Sequence, residues 1–597
     1  ETRRLLAGMA LAENLPYEAL KEILGCNLKS GHMRAVDAFI RYDGMNNVYR
    51  VHPLFRSFLK NRADLLSEDE KNAVFLHAAD WCAENGMRTD AAAYYARACD
   101  FANTLSIVLS YPNILSRELN SFFLGLIDAA PADYSGEGEG CLAVLRYSIA
   151  PRLLMLLGRT AEAENRLTRA VRLLKNSGSR AADGILVACY NVFGFLRLVT
   201  CARTHKYDSA QYFKAAYKYA RESARYPLES GRTTYASIQS YACMVGEGCE
   251  PGEIKRFLED VREAAAYLQL TMNGYYGGMP CLAECEAAFF AGRNEEAELF
   301  ARRALEEARE KDQFEIEAMA LFYLLRLSVK EGIYQVTRAL LEQMAALSER
   351  DGFLNRRLFY DLATGWFYVK IGLPDCVPAW LRSAYECFGA GSHLQTREGI
   401  IRGWCFLYGR RYLLALGSVQ IPAAEEPPER FFYGEIEKNI LCAVISQQSG
   451  NKTDAVRFLQ KAYDAAAPES VETPFVEMGK YMRPLASLAA KSGAPIPEAW
   501  LSEICSKASI YAKKLAAVAS GYKTEHLMRD GISLSERESQ VLTDLYHGLS
   551  RAEIAAHRYI SVNTVKSVTR MLYVKLGADN NVDAVRIALG LKLIDAN

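Results

Sequence analysis

Lys566, Ser567 and Arg570 fall on one side of a short amphipathic segment, two cations a helical turn apart with a small hydroxyl between them. Such a set can reach base edges or phosphates of a double helix, the serine permitting close approach. At 100° per residue, Asn563, Lys566, Ser567, Arg570 and Val574 lie within about 100° of arc. Val565, Val568, Leu572 and Leu576 lie within about 80° on the opposite side. Three cations and no acid occur between Ser561 and Leu576, whereas residues 533–597 carry eight Lys+Arg and seven Asp+Glu. Charge is therefore concentrated on one helix of an otherwise neutral segment. Ser561 is followed three places on by Thr564 and not by an acid, so the amides and dipole at the helix start are offered to a phosphate. Ser561, Asn563, Thr564 and, further along, Lys575 are the expected backbone contacts.

Other chemistries find little support. Fifteen cysteines contain no Cys-x-x-Cys pair, and Cys281 and Cys285 have no third ligand nearby. They read as reduced, mostly buried thiols, which points to a cytoplasm. No Gly-x-Ser-x-Gly elbow or phosphate-binding loop occurs, and Gly450-Asn-Lys-Thr453 lacks the Gly-Lys step and reads as a repeat turn. The chain is not expected to be an enzyme. No run reaches the ~18 uninterrupted apolar residues that span a bilayer.

The cationic helix needs neighbours to hold it. Ser535 with Glu538, and Ser550 with Glu553, form two capping boxes, each opening a helix. The first helix ends at Gly548, the second near Arg558–Tyr559, the third runs from Ser561 to Leu576 before Gly577, and a fourth spans about Val582 to Leu593. A short helix, a turn of three or four residues and a longer helix make a helix-turn-helix.

With 597 residues and no net charge, the chain should hold several domains, and any nucleic-acid site must be local. Residues 1–70 read as a small winged-helix-like unit, helices followed by a hairpin over Phe39–His52. Residues 71–518 read as amphipathic helices with breaks at Gly292, Gly332, Gly372, Gly409 and Gly450, separated by 40, 40, 37 and 41 residues. That period marks an α-solenoid, and Gly292–Glu306 resembles a tetratricopeptide repeat. Pro422–Glu429 reads as a surface loop, Asn273–Gly278 as a turn more readily than a ligand loop, and Trp366–Tyr368 as packing between repeats. Residues 519–532 read as a polar linker to the DNA-binding domain at 533–597. The fold class is thus all-α: a TPR-like solenoid with a winged-helix-like remnant before it and a helix-turn-helix after it.

Leu534-Ser-Glu-Arg-Glu538, Gly548-Leu-Ser-Arg-Ala-Glu-Ile-Ala555, Ile560-Ser-Val-Asn-Thr-Val-Lys566 and Leu572-Tyr-Val-Lys-Leu-Gly577 resemble the LuxR-type DNA-binding domain. The resemblance implies double-stranded DNA as partner and base contacts from Lys566, Ser567 and Arg570. It also implies a fourth helix that pairs two domains, with Val582, Val585 and Leu589 as candidates; packing within one domain is the competing reading. Tyr49–Leu59, Trp81–Gly86 with Asp90–Tyr95, and Pro474–Gly479 are similar to segments of the large, MalT-like LuxR regulators. Those begin with an ATP-binding module, so ATP is expected only in an upstream part missing from this chain, and no cofactor within it. The same resemblance implies a small-molecule inducer or protein effector sensed by the superhelix, and RNA polymerase as a further partner. Arg558 departs from the family, standing where a core leucine is usual, and is expected to snorkel to solvent. Val568 and Met571 replace the habitual His and Asn. The alternative is a helical-repeat scaffold that binds protein and not DNA.

Overall fold

The computed structural model describes residues 2–12, 16–25, 39–43, 48–60, 65–111, 117–178, 180–204, 206–222, 249, 251–271, 276–383, 392–420, 432–529, 534–576, 578, 580–590 and 593–594. The chain begins with helices α1 (Thr2–Leu11) and α2 (Tyr17–Leu24). Strands β1 (Ile40–Asp43) and β2 (Val48–Val51) follow, paired antiparallel with Ile40 opposite Val51, and then helix α3 (Pro53–Lys60). The expected turn between the strands lies outside the described residues. Leu5, Met9, Leu24, Ile40 and Leu59 share one core with Val74, Cys82 and Tyr95. The first repeat helices therefore complete the amino-terminal unit, and its core does not stop at residue 70.

Beyond it the described elements are helices whose apolar stripes merge into one continuous core from Ala92 to Tyr522. The repeats are clearest in α4 (Met279–Phe290), α5 (Asn294–Glu310), α6 (Phe314–Glu331), α7 (Tyr334–Ser348), α8 (Arg356–Lys370), α9 (Ser392–Tyr408), α10 (Phe432–Gln448) and α11 (Lys452–Ala466). Ala297, Ala301, Ala304 and Ala308 are fully buried along α5, the small side chains that let neighbouring helices approach. Gly292, Gly332, Gly372 and Gly450 sit at φ 77°, 81°, 75° and 91°. That left-handed turn suits glycine alone among unstrained residues. At the fourth break the left-handed residue is Arg410 (φ 56°), one position past Gly409.

Ala182–Thr200 is long and apolar enough to cross a membrane by length and composition, and 94% of it is buried inside the array. Pro422–Glu429 and Asn273–Tyr275 lie outside the described residues. Tyr276 is buried, and its amide donates to Gln313 in the turn that enters α4. Trp366 is buried edge-on against Phe322, 5.7 Å between rings, so it does pack between repeats.

The array's interior carries charge. Arg326 on α6 is fully buried and donates through Nε and Nη2 to Glu477 at 3.1 and 3.0 Å, and through Nη2 to Glu437 at 3.1 Å. Lys370 of α8 donates to the Glu477 carbonyl at 3.3 Å and lies 3.6 Å from its carboxylate. Burial works against the Glu477 carboxylate, but Arg326 and Lys370 overcome it and hold its pKa below the usual value.

The expected linker is mostly something else. Residues 519–529 are the last turns of α12 (Glu498–Arg529), a single helix of 32 residues. Gly521 does not break it: a Cβ there would lie 2.5 Å from Tyr334 Cγ, so the bare backbone admits the tyrosine ring. Tyr334 donates to Glu525 at 2.7 Å, Arg338 pairs with Glu525 at 3.3 Å, and Tyr522 meets Phe367 and Tyr368 edge-on. Tertiary packing overrides the local polarity that suggested a linker.

Candidate nucleic-acid interface

Among the described residues four helices follow: α13 (Glu536–Tyr546), α14 (Arg551–His557), α15 (Val562–Leu576) and α16 (Asn581–Gly590). Both capping boxes form. Ser535 Oγ accepts the Glu538 amide and Glu538 returns to the Ser535 amide at 2.8 Å; Ser550 and Glu553 do the same, the return bond being 2.7 Å. Gly577, expected to end α15, lies outside the described residues.

The turn between α14 and α15 is set by a Schellman motif. The Ile560 amide donates to Ala555 C=O at 3.0 Å and the Tyr559 amide to Ala556 C=O at 3.4 Å. Tyr559 takes the left-handed position (φ 53°) with its side chain almost wholly in solvent, 96% exposed. Val541, Leu542, Ile554, Val565, Leu572, Leu576, Ala584 and Ala588 close a separate core.

That core fixes which face of α15 looks outward. Val565, Leu572 and Leu576 are buried, and Val568 packs partly against them. Thr569 is also buried on this side, and among the described residues its hydroxyl has no hydrogen-bond partner. The hydrophobic pattern passed over it because threonine reads as polar. Asn563, Lys566, Ser567 and Arg570 are all exposed, with Val562 and Met571 at the rims. At the helix start Ser561 Oγ accepts the Thr564 amide at 3.1 Å and lies 2.8 Å from Thr564 Oγ1. One of the first amides is thus already satisfied, leaving the others and the dipole to attract an anion.

One expectation changes, that for Arg558, and two other groups of residues gain partners. Lys575, grouped with the backbone contacts, donates to Glu538 Oε2 at 2.6 Å and ties the end of α15 to the capping box of α13. Its side chain is 34% exposed and pairs at the level where α15 packs against α13. Arg558 does not snorkel to solvent. It grips Asp544 with two bonds of 2.7 and 2.8 Å, and Asp544 is only 2% exposed. Hydrogen bonding from Arg558 holds the Asp544 carboxyl below its usual pKa, and His557 Nδ1 approaches it at 3.2 Å. Of the pairing candidates on α16, Val582 is 79% exposed, while Val585 and Leu589 pack partly against the domain's own core.

Among the described residues the site holds no metal-binding cluster of His, Cys, Asp or Glu. It is an exposed, cationic helix face backed by a core that all four helices share, the charge and width that a major groove accepts. Residues 532–588 match the family model described as bacterial regulatory proteins, luxR family. No curated protein matches the chain.

Proposed function

Taking this chain as a DNA-binding transcription regulator with a LuxR-type helix-turn-helix near its carboxy terminus, we propose that α15 enters the major groove with Lys566, Ser567 and Arg570 toward the base edges. Ser561, Asn563 and Thr564 face the adjoining phosphates at the start of the helix. The observation that carries this reading is the exposure of the three cationic-face residues on a helix whose reverse side is fully committed to a core. Lys575 is left out of the contact set because Glu538 holds it.

The wider reading is a large regulator of the MalT-like kind, working in the bacterial cytoplasm, in which the helical array senses a small inducer or an effector protein. Supporting it are the continuous array ahead of the DNA-binding segment and the local likenesses at Tyr49–Leu59 and Pro474–Gly479. Val582 is the side chain of α16 best placed to meet a second copy on DNA, and RNA polymerase is the partner expected of an activator. No catalytic step and no ATP site are assigned within these residues.

Selection of bound fragments from genomic DNA at several salt concentrations tests the reading. Enriched sequences should emerge, and Arg570→Ala should lose about 1 to 3 kcal/mol on them. A steep salt slope without enrichment would reduce the site to non-specific attraction. Unchanged binding by Arg570→Ala and Lys566→Ala would favour a scaffold that uses this face for protein.

A further inference from the structure

A cavity opens in the array between α6, α8 and α9, far along the chain from the cationic helix. It holds about 50 Å³ of space for the centres of water molecules and is partly open to solvent. That is room for about three or four waters, the scale of one ring with a short arm and not of an oligomer. Phe322, Phe359, Trp366 and Trp404 supply four aromatic walls. Lys370 and Arg397 also line it, with 6% of the Lys370 side chain exposed, and so do the carboxylates Glu437 and Glu477, both bound by Arg326.

The polar groups here are poorly balanced. Arg326 and Lys370 gather around two carboxylates, Glu437 and Glu477, Arg326 making two bonds to Glu477 and one to Glu437, while Lys330 beside them donates to Asn294 Oδ1 and Thr473 Oγ1 at 3.0 and 2.9 Å. Glu472 also faces Lys330, but it is already paired with Lys507 at 2.5 Å. Lys370 is left with one carbonyl, a distant share of Glu477, and the faces of Trp404 and Trp366 at 5.1 and 6.0 Å. An ammonium has three donors, and a buried one wants them answered. Burial pushes the Lys370 pKa down, as an under-paired cation should show. The group that would complete this site is an anion small enough to reach Lys370, attached to a flat apolar body.

The cavity also has a route outward. Trp366 and Lys370 face it from α8, and Phe367 and Tyr368 of the same helix hold Tyr522 of α12. α12 runs on to Arg529, directly before the DNA-binding segment.

We propose that this cavity binds a small aromatic carboxylate, its carboxylate against Lys370 and its ring among Trp366, Trp404 and Phe359, and that occupancy is relayed through α8 and Tyr522 to the DNA-binding segment. The relay rests on the reading of the array as a sensor; the binding site does not.

The test uses the 597-residue chain and its tryptophan fluorescence, two of the five tryptophans lining the cavity. Benzoate, phenylacetate and 3-phenylpropionate are titrated beside their primary amides. A saturable change with at least one acid, and a roughly tenfold or greater preference over its amide, is expected of a charge-assisted contact. Lys370→Met, similar in length and neutral, should abolish that preference, and Lys370→Arg should keep it. Equal response to acid and amide, or no saturation with any acid, overturns the site; this comparison uses the unaltered chain and so survives a variant that fails to fold. In the second arm, DNA affinity is measured with and without the bound acid. Tyr522→Leu should bind the acid as before while its DNA affinity no longer responds. Acid binding that leaves DNA affinity unmoved in the unaltered chain overturns the relay alone. Loss of all specific DNA binding sinks the DNA reading and leaves the fluorescence result standing.

Discussion

Arg558→Leu puts an apolar side chain into the partly buried gap between α13 and α14, so hydrophobic bookkeeping alone predicts a gain. The geometry predicts a loss. Asp544 is 2% exposed, and its two oxygens are met by Arg558 at 2.7 and 2.8 Å. Removing the guanidinium leaves a buried carboxylate with only His557 Nδ1 at 3.2 Å. Breaking a fully buried pair costs about 3 to 5 kcal/mol. The Arg558 side chain keeps 28% of its surface in water, so the loss is placed lower, at about 2 kcal/mol. Hydrogen exchange on the full chain, followed at the amides of α14 and α15, isolates this domain from the array. There the loss should appear as exchange roughly thirty times faster. Asp544→Leu combined with Arg558→Leu removes the charge and its partner together, and should restore protection to within about 1 kcal/mol. The pH dependence has a definite sign. Asp544 is held below its unfolded pKa, so its contribution is present above the ordinary carboxylate range and is lost as pH falls through the lowered value. Undiminished protection in Arg558→Leu, or a double variant weaker than the single one, would refute the ion pair as the joint between these helices.

Thr569→Val replaces a buried, unpartnered hydroxyl with a methyl of similar size and should stabilise the domain by about 1 kcal/mol, read by the same exchange experiment. Glu477→Gln takes the shared carboxylate from Arg326 and Lys370 and should lower the thermal midpoint of the array, by about 3 kcal/mol in stability. Lys330 is lowered by burial to a pKa of about 7, so the folded array binds fewer protons than the unfolded chain above that value. Its melting temperature should therefore rise between pH 7 and about 9, and Lys330→Met should flatten the rise. Gly521→Ala, helpful in an open helix, should here weaken the docking of α12, since its Cβ would meet the Tyr334 ring; faster exchange in residues 515–529 is the readout.

Much of the DNA-binding segment was legible because its signals are local. A capping box needs only residues three apart, and the apolar stripe of α15 repeats within two turns. The repeat period was legible for the same reason, through glycines that a left-handed turn favours, although Arg410 takes that position at the fourth break. What escaped depends on partners distant in the chain. Nothing near Arg558 announces Asp544, fourteen residues back on another helix, and Lys575 meets Glu538 across 37 residues. Gly521 looked like a breaker because its meaning lies in Tyr334, far upstream. The cavity is assembled from residues between Ala318 and Met478, on several helices and the turn that follows them, and no local pattern shows that they meet.

A helix that continues to Arg529 shortens the tether between array and groove-reading unit. Only five residues separate Arg529 from the Ser535 cap, a leash of about 20 Å when drawn straight. Two such chains seated on neighbouring half-sites would have to keep each array within about that distance of its own DNA-binding unit. Inserting half a turn of duplex between the half-sites turns one DNA-binding unit to the opposite side of the DNA and its array with it, so operator spacing would bear on the arrays as well as on the groove-reading helices.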